Sequence, residues 1–448
     1  MNRFESITER VRQVVPFALT GRVHKIVGLT AAVVDLPAPL ESVCRIHRED
    51  GASVDGEVIG FQGAETLVLP YGGLAGVRLG DVVSLRRTVP TVAAGDSLLG
   101  RVLDGRGRPI DNLPPPAAAV RVGLHAAHTP PLDRPPISEP LETGIRAIDA
   151  FLTCGRGQRL GIFSGSGLGK STLLAQLARS STADVNVIVL VGERGREVRE
   201  FIERDLGPEA LARSVVVAAT SDESPLLRVR AAHRGAALAE YFRDEGRDVL
   251  LLMDSITRVA RALAQIGLAA GEPPANRGFP PSVFAALPQL LERSGRTARG
   301  SITGFYTVLV EGDAEHDPIA ESARAILDGH LVLSSELAHK AHWPAIDIPQ
   351  SISRSMNNVV DDEHLQAAAM LRRTIAARRQ ADDLVSVGAY LAGADPLVDA
   401  AIRLESEIDS LLQQDATECT PFAETSRRLQ DLARAVMSNE PESVNKAA

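Results

Sequence analysis

Cysteine is scarce in this sequence, and its scarcity limits what kind of protein the chain can be. Only three cysteines occur among 448 residues, at positions 44, 154 and 419. Their wide separation gives neither a metal-ligand spacing nor a disulfide framework, which fits a reducing compartment. No apolar run reaches the ~18 residues of a membrane span, and the first residues lack the apolar stretch of a signal peptide. These absences predict a soluble, cytoplasmic protein.

A surplus of positive charge is also missing. Lysine and arginine number 48 against 57 aspartates and glutamates, so the formal net charge is −9. This balance argues against a broadly basic nucleic-acid surface, although a local basic pore is compatible with it. We therefore expect no nucleic-acid partner. The length is sufficient for two or three domains with a large buried core.

Four stretches with different residue patterns divide the chain. Residues 1–20 look like an amphipathic helix, whose apolar face could pack on the chain or receive a partner. Residues 21–92 hold short β-type runs between glycine turns, which predict a small barrel or sandwich. Residues 93–360 begin with a turn-rich bridge at 98–109 and a proline-rich connector, and then alternate strands with helices, as in a covered parallel sheet. Residues 361–448 look helical.

A glycine-rich loop between a strand-like run and a helix-like run is the strongest single motif. Its glycines allow backbone N–H groups to turn inward around an oxyanion, and the helix N-terminus adds partial positive charge. Lys170 would reach the β- and γ-phosphates, and the Ser171 hydroxyl would bind Mg²⁺. Ser164 stands where the strict pattern has its first glycine, which is tolerable if its φ is negative. The candidate nucleotide-binding residues are Gly165, Ser166, Gly167, Leu168, Gly169, Lys170, Ser171 and Thr172.

Two acidic residues follow apolar runs that are typical of buried strands. Asp254 ends the run 249–254 and is a candidate ligand of Mg²⁺ or of its water, whereas the alternative is a strand-end carboxylate that caps the next turn. Glu193 follows the run 185–191 and is placed to polarise an attacking water in the crevice at the sheet edge. Glu197 is its competitor, one helical turn further on, and is expected to be structural or an ion-pair partner.

Phosphoryl transfer also needs positive charge that meets the charge developing in the transition state. Arg194, Arg258 and Arg354 are candidates for this role. Any single arginine is more often a surface or ion-pair residue, and sequence spacing alone does not choose among the three.

Six segments together resemble the catalytic subunits of rotary F- and V-type ATPases, and most of all the flagellum-specific ATPases of type III protein export. They are residues 161–171, 192–198, 251–258, 271–284, 323–330 and 343–354. The resemblance covers roughly residues 20–410 and implies a β-barrel, a RecA-like P-loop domain and a helical C-terminal domain. The implied fold class is α/β, with an N-terminal β-barrel and a C-terminal helical domain. It also implies a homohexameric ring that binds ATP and Mg²⁺ between subunits.

The resemblance implies roles for four residues whose functions the sequence spacing alone does not settle. By motif match, Glu193 becomes the catalytic glutamate, Arg258 a second phosphate contact within the subunit, and Arg354 an arginine finger donated by a neighbour. Trp343 stands where the family often has a tyrosine that stacks on adenine; an ordinary packing residue of core or interface is the alternative.

The implied partners are those of an export apparatus. A regulatory stalk protein would meet the N-terminal helix, and a central stalk protein, export chaperones and the membrane export gate would lie on the C-terminal side. The protein would then be peripheral to the inner membrane. Residues 387–396 look more like flagellar members than injectisome members. The alternatives are an injectisome ATPase with the same chemistry, a noncatalytic nucleotide-binding ring subunit, and a ring helicase acting on RNA.

Overall fold

A computed structural model describes residues 19–117, 120–125, 130–310 and 317–438. The helix predicted within residues 1–20 lies almost entirely outside the described residues. Within the described ranges, no helix combines the length and the apolarity needed to cross a membrane.

Six antiparallel strands close into a barrel in the order β1-β2-β5-β4-β3-β6. Buried and less buried side chains alternate along β3 and β6, whereas β2 and β5 are buried along most of their length. Ile46, Val68 and Val83 are among the side chains that fill the interior. The sequence predicted a small barrel or sandwich for this part of the chain, and the strands form a barrel. The barrel strands are β1 Thr20–Val27, β2 Thr30–Val34, β3 Val43–His47, β4 Ser53–Gln62, β5 Glu65–Pro70 and β6 Val82–Arg87.

The central sheet has the strand order β19-β18-β12-β17-β15-β13-β14-β8, and β16 pairs with β17. Strands β18 through β8 in this order are parallel, whereas β19 and β16 are antiparallel. The strands are β8 Arg101–Asp104, β12 Arg159–Ser164, β13 Val185–Val191, β14 Ser214–Ala219, β15 Asp248–Asp254, β16 Gly295–Arg296, β17 Ser301–Leu309, β18 Gly329–Val332 and β19 Ile352–Ser353.

The prediction of a turn-rich bridge at residues 98–109 was wrong for its middle part. Residues 101–104 form strand β8, which pairs in parallel with β14 at the edge of the sheet. Val102 and Leu103 are buried there, on opposite faces of the sheet. Four residues give too short a periodic pattern to reveal such a strand among turn residues.

Apolar clusters cover both faces of the central sheet, as the continuous apolar strands predicted. Two short ribbons, β7 Thr91–Ala94 with β9 Val120–Gly123 and β10 Pro140–Leu141 with β11 Cys154–Gly155, flank it. The α-helices of this part are Arg146–Phe151, Lys170–Ser180, Gly195–Glu200, Gly207–Ala212, Pro225–Asp244, Ile256–Ala269, Pro281–Leu291, Pro318–Ile326, Ser335–His339 and Met356–Val359; Phe201–Leu206 is π-helical, and Asp96–Leu98 and Pro131–Asp133 are 3₁₀ turns.

Helices make up the rest of the described chain. Asp395 caps its helix by accepting hydrogen bonds from the backbone N–H groups of Leu397 and Val398, and Pro396 is the first helical residue. The periodic run that begins there is interrupted at Leu404, where φ is −103° and ψ is 17°. The helices are Asp362–Gln380, Asp382–Ser386, Pro396–Arg403, Glu405–Leu412 and Phe422–Met437.

Candidate functional site

The glycine-rich loop joins β12 to the helix Lys170–Ser180, as the sequence predicted. Gly167 and Gly169 have φ values of 78° and 77°, a conformation that side-chain-bearing residues rarely adopt. A Cβ on Gly169 would also lie 2.8 Å from Cζ3 of Trp343, so only glycine lets the indole approach the loop this closely. Ser164 is not among the residues with positive φ, so the departure from the strict motif introduces no left-handed backbone.

A cavity of about 610 Å³ opens above this loop at the carboxyl edge of the sheet. The end of β12, the helix that begins at Lys170 and the segment after β13 form its wall, since parallel strands deliver their carboxyl ends to one edge. Its lining includes Ser164, every residue from Gly165 to Thr172, Gly192, Glu193, Arg194, Glu197, Arg228, Arg258 and Arg261. We call this space the nucleotide cavity.

Lys170 contacts both acidic residues that the sequence singled out. Its Nζ lies 2.6 Å from Oδ1 of Asp254 and 3.5 Å from Oε1 of Glu193. The Thr307 hydroxyl donates to the same Asp254 oxygen at 2.7 Å. Asp254 is buried at the end of β15, and two donors hold its carboxylate beside Lys170, which lines the cavity.

Glu193 lies between two cations. Arg258 donates from Nη2 to its Oε2 at 3.2 Å, whereas its Oε1 is buried and accepts no hydrogen bond within the described chain. Burial, reinforced by the charge of Asp254, raises the pKa of Glu193 to about 7, against the opposing effect of Lys170. Arg258 reaches this position because Gly192 has no side chain: a Cβ there would lie 2.7 Å from the Arg258 Cδ. The arrangement gives one carboxylate that is poised near neutral pH.

Glu197 and Arg194 lie at the rim of the nucleotide cavity. The Arg194 side chain is 81% exposed and pairs with Glu197 at 3.2 Å, while Glu197 is 45% exposed. The nearby Glu193 carboxyl lowers the pKa of Glu197 through a side-chain hydrogen bond. Glu197 therefore has the exposed ion-pair environment that the sequence expected for it, but it remains close to Glu193.

A second pocket of about 360 Å³ adjoins the loop on its other side. Trp343 is 40% exposed and contributes its ring to this pocket. The opposite wall comes from the C-terminal part of the chain, at Gln414, Asp415 and Ala416, together with Gln176 of the loop helix. An aromatic face opposite a gap is suited to a flat heterocycle.

The structure does not bring Arg354 to the nucleotide cavity of its own chain. Arg354 follows β19 at the edge of the sheet, its side chain is exposed, and it is absent from the cavity lining. Its backbone N–H donates to the Asp328 carbonyl at 2.9 Å. Burial, together with the charges of Arg324 and Arg354, lowers the pKa of His330.

Comparison with known proteins identifies the family. The model of the ATP synthase alpha/beta family, nucleotide-binding domain, matches residues 144–353, and the model of the T3SS EscN ATPase C-terminal domain matches residues 360–431. The chain is 49% identical to the flagellum-specific ATP synthase of Pseudomonas aeruginosa, with 96% of each chain covered. The chain belongs to the ATP synthase alpha/beta family. Within this family it groups with the flagellum-specific and type 3 secretion system ATPases, which hydrolyse ATP.

The chain is similar to ATPases of type III secretion systems as well as to flagellar ones. The type 3 secretion system ATPase of Xanthomonas euvesicatoria is 50% identical, over 90% of this chain and 92% of the relative. The assembled ATPase EscN from the enteropathogenic E. coli type III secretion system superposes with a TM-score of 0.87 at 43% identity, covering 92% of this chain and 100% of that chain. The predicted family and fold class are confirmed.

The sequence missed several residues of this ATPase site. Thr307 could have been found, because it is a polar residue near the end of the apolar strand β17, which pairs with β15 and so lies beside Asp254. No motif in the sequence distinguishes Arg228 and Arg261 from the other arginines. Gln414 and its neighbours gave none, because they lie more than 200 residues from the loop that they approach.

Proposed function

We propose that this chain is a Mg²⁺-dependent ATP hydrolase that energises flagellar type III protein export as part of a homohexameric ring. The observation that carries the proposal is the convergence of Lys170, Asp254 and Glu193 at the mouth of a phosphate-binding loop. A cation, a metal-type carboxylate and a poised base are the three groups that hydrolysis of a γ-phosphate requires.

ATP would bind with its phosphates against the loop and its base against Trp343. Backbone N–H groups of residues 165–169 and the start of the helix Lys170–Ser180 supply hydrogen bonds to the phosphates. Lys170 would exchange its contact with Asp254 for the β- and γ-phosphates. The pocket of about 360 Å³ beside Trp343 has room for the adenine ring.

The residues present fit Mg²⁺. The buried Asp254 carboxylate and the exposed Ser171 hydroxyl are hard oxygen donors, and Mg²⁺ in phosphate sites takes one or two protein ligands and keeps several waters. Bound there, Mg²⁺ would neutralise charge on the β- and γ-phosphates. The hydrogen bond from Thr307 orients the Asp254 carboxylate for this contact.

Glu193 would accept a hydrogen bond from the attacking water and take its proton. Its buried Oε1 is the unsatisfied acceptor at the mouth of the nucleotide cavity, and Arg258 fixes the other oxygen. Arg258 would also contact the γ-phosphate, with Arg194 at the rim as a further cation. Glu197 is less suited to the role, because its exposed carboxylate is paired with Arg194.

Arg354 would complete the site of the neighbouring subunit. This rests on its exposed position outside the cavity of its own chain and on the assembled state of the similar ATPase EscN. EscN has also been solved in complex with its central stalk EscO. By analogy, a central stalk protein, export chaperones and the membrane export gate would meet the C-terminal side of the ring. A regulatory stalk protein would meet the N-terminal helix.

The proposal places the ATPase in the cytoplasm, peripheral to the inner-membrane export apparatus. The proposed domains are the helix 1–20, the barrel domain 21–92, the RecA-like domain 93–360 and the helical domain 361–448.

An injectisome ATPase is the second candidate. The 50% identity to a type 3 secretion system ATPase is close to the 49% identity to a flagellar relative, so overall similarity favours neither system. A noncatalytic ring subunit is disfavoured, because such subunits usually lack the glutamate that stands here at position 193.

The experiment compares Glu193→Gln with its matched control Glu197→Gln. We expect Glu193→Gln to lower the ATP turnover rate about 10²- to 10⁴-fold, because the amide cannot accept the proton of water. Glu197→Gln should change the rate less than about threefold, since its carboxylate is exposed. Fluorescence of Trp343, the single tryptophan of the chain, should show that both variants still bind ATP.

The opposite ranking of the two variants would move the role to Glu197. Rates that fall equally little in both variants would contradict the assignment of hydrolysis to this site.

A further inference from the structure

A second polar cavity, of about 430 Å³, lies where the barrel meets the central domain. None of its lining residues belongs to the nucleotide cavity. We call it the junction cavity. Its charged lining residues are Arg45, Arg86, Arg87, Arg106, Arg121, Arg230 and Arg234, with Asp55 and Glu57 as the carboxylates.

Both carboxylates of the junction cavity are already neutralised. Arg45 holds Asp55 with two parallel hydrogen bonds of 2.7 and 3.1 Å, and this contact lowers the pKa of Asp55. Glu57 is buried and accepts from Arg230 Nε at 2.7 Å and from the Tyr71 hydroxyl. The charges of Arg106 and Arg86 also lower the pKa of Asp55. Two carboxylates, each with a close arginine partner, therefore face seven arginines.

Five arginines remain around the junction cavity: Arg86, Arg87, Arg106, Arg121 and Arg234. In the part of the chain that the structure describes, no carboxylate oxygen lies within 4.0 Å, the limit of an ion pair, of a guanidinium nitrogen of any of them. They come from the barrel strand β6, the loop after β8, the ribbon strand β9 and the helix Pro225–Asp244. Distant parts of the chain therefore bring like charges together.

The contacts that these guanidinium groups do make are poor substitutes for an anion. Arg87 and Arg121 both donate to the single hydroxyl of Thr91, at 3.4 and 3.1 Å. Arg106 lies 4.6 Å from the centroid of the Tyr71 ring, and its Nε is buried without an acceptor. Arg234 donates to the Gly105 carbonyl at 3.3 Å.

The surroundings of the junction cavity lower the pKa values of two of these arginines. Burial and the charge of Arg121 lower the pKa of Arg87. Burial lowers the pKa of Arg234 to about 10. Repulsion between these like charges and hydrogen-bond donors without acceptors both cost free energy in the folded chain. A bound anion would offset both costs.

We propose that the junction cavity binds a compact polyanion with two or three linked phosphate groups. Guanidinium forks match phosphate oxygens in paired hydrogen bonds, and five forks exceed what a single phosphate can engage. The volume of about 430 Å³ admits a triphosphate but no folded partner. The ligand is a free oligophosphate or the phosphate tail of a nucleotide, and both present the same chemistry.

The test titrates inorganic tripolyphosphate into the full chain carrying Lys170→Ala, by calorimetry in metal-free buffer. This substitution weakens polyphosphate binding at the nucleotide cavity and leaves the junction cavity intact. We expect one site per chain, with an affinity that falls as salt rises. Adding Arg106→Gln and Arg121→Gln should weaken that site at least tenfold.

The matched control adds Arg373→Gln and Arg427→Gln, which remove the same charge from exposed C-terminal helices. The control should bind like the Lys170→Ala parent. Competition by ATP in the parent would assign the ligand as a nucleotide phosphate tail, and tripolyphosphate binding without ATP competition would assign a free oligophosphate. Absent binding in the parent, or equal loss in the control, would overturn the proposal.

Thermal unfolding separates a binding role from a structural one. Tripolyphosphate should raise the unfolding midpoint of the parent and the control but not that of the junction variant. Without ligand, the junction variant should be as stable as the parent or more so, because like charges are removed. If the double substitution prevents folding, Arg121→Gln alone, at an exposed position, provides the same comparison. A ligand-induced shift that persists in the junction variant would contradict the proposal.

Discussion

Glu193 shows how the site depends on single side chains. It lies 3.5 Å from the cation of Lys170 and 3.2 Å from that of Arg258, yet its pKa rises to about 7. Burial outweighs the two cations because removing a carboxylate from water disfavours its charged form, and the nearby Asp254 charge adds to that effect. A base with a pKa near the working pH is well suited to proton transfer.

The pH dependence of hydrolysis should follow this residue. If Glu193 must be ionised to accept the proton, kcat/KM should rise about tenfold per pH unit below its pKa and level off above it. The inflection is expected at about 7, because kcat/KM reports the free enzyme. Stopped assays of phosphate release between pH 5 and 9 measure this profile. A profile that is flat from pH 5 to 8 would contradict the role, and Glu193→Asp should shift the inflection without abolishing it.

At the scale of elements, the segment 413–418 joins the C-terminal helices to the nucleotide-binding part. The Gln414 N–H donates to the Trp343 carbonyl at 2.8 Å, and the Gln414 amide donates to the Gly144 carbonyl at 2.8 Å. Gln176, on the loop helix, donates to the Asp415 carbonyl at 3.3 Å. The pocket beside Trp343 therefore depends on the attachment of a distant segment.

Arg146 is the main anchor of this segment, and its loss should be costly. It donates to the Leu411 carbonyl at 3.3 Å and to the Thr420 hydroxyl at 2.9 Å, and it also contacts Glu418 and the Gln413 carbonyl. Because the side chain is buried, Arg146→Ala leaves these acceptors unsatisfied and should destabilise the fold by about 3–5 kcal/mol.

Urea unfolding followed by circular dichroism measures this change. The control is Arg434→Ala, whose pair with Glu363 lies on the surface and whose loss should not shift the midpoint measurably. An Arg146→Ala midpoint equal to that of the control would show that the segment docks without this anchor.

At the scale of the whole molecule, one chain does not bring all the proposed catalytic residues together. Lys170, Glu193 and Asp254 meet in one cavity, whereas Arg354 is exposed beyond the edge strand β19. A closed ring repeats one heterologous interface, so a residue on one face can serve the cavity on the next subunit. The proposed hexamer would supply the missing cation in this way.

Mixing two inactive variants tests this arrangement. Lys170→Ala and Arg354→Ala should each remove most turnover, and Arg354→Ala should still bind ATP. In an equal mixture, some interfaces pair an intact Lys170 with an intact Arg354 of the neighbour, so activity should return to at most roughly a quarter of wild type. The rate per wild-type chain should also rise with protein concentration as rings form. A mixture that is as inactive as its components would contradict a site shared between subunits.

Short stretches of the sequence were sufficient to predict the phosphate-binding loop and the positions of the two acids. The strand, glycine loop and helix around Lys170 are contiguous, and apolar strands ending in Glu193 and Asp254 place both acids at one sheet edge, so their convergence could be predicted. Local periodicity also predicted the helical end and a small barrel or sandwich, and the family resemblance implied the barrel. The roles of these residues remain predictions.

Only the tertiary structure decided the rest, because those features join residues far apart in the chain. Thr307 reaches Asp254, Gln414 reaches the pocket beside Trp343, and β8 joins the sheet edge only through β14. The junction cavity is the extreme case, since its five unpaired arginines come from four separate elements. Periodicity reports which face of an element is apolar, but pairing and burial of charges depend on which elements the fold brings together.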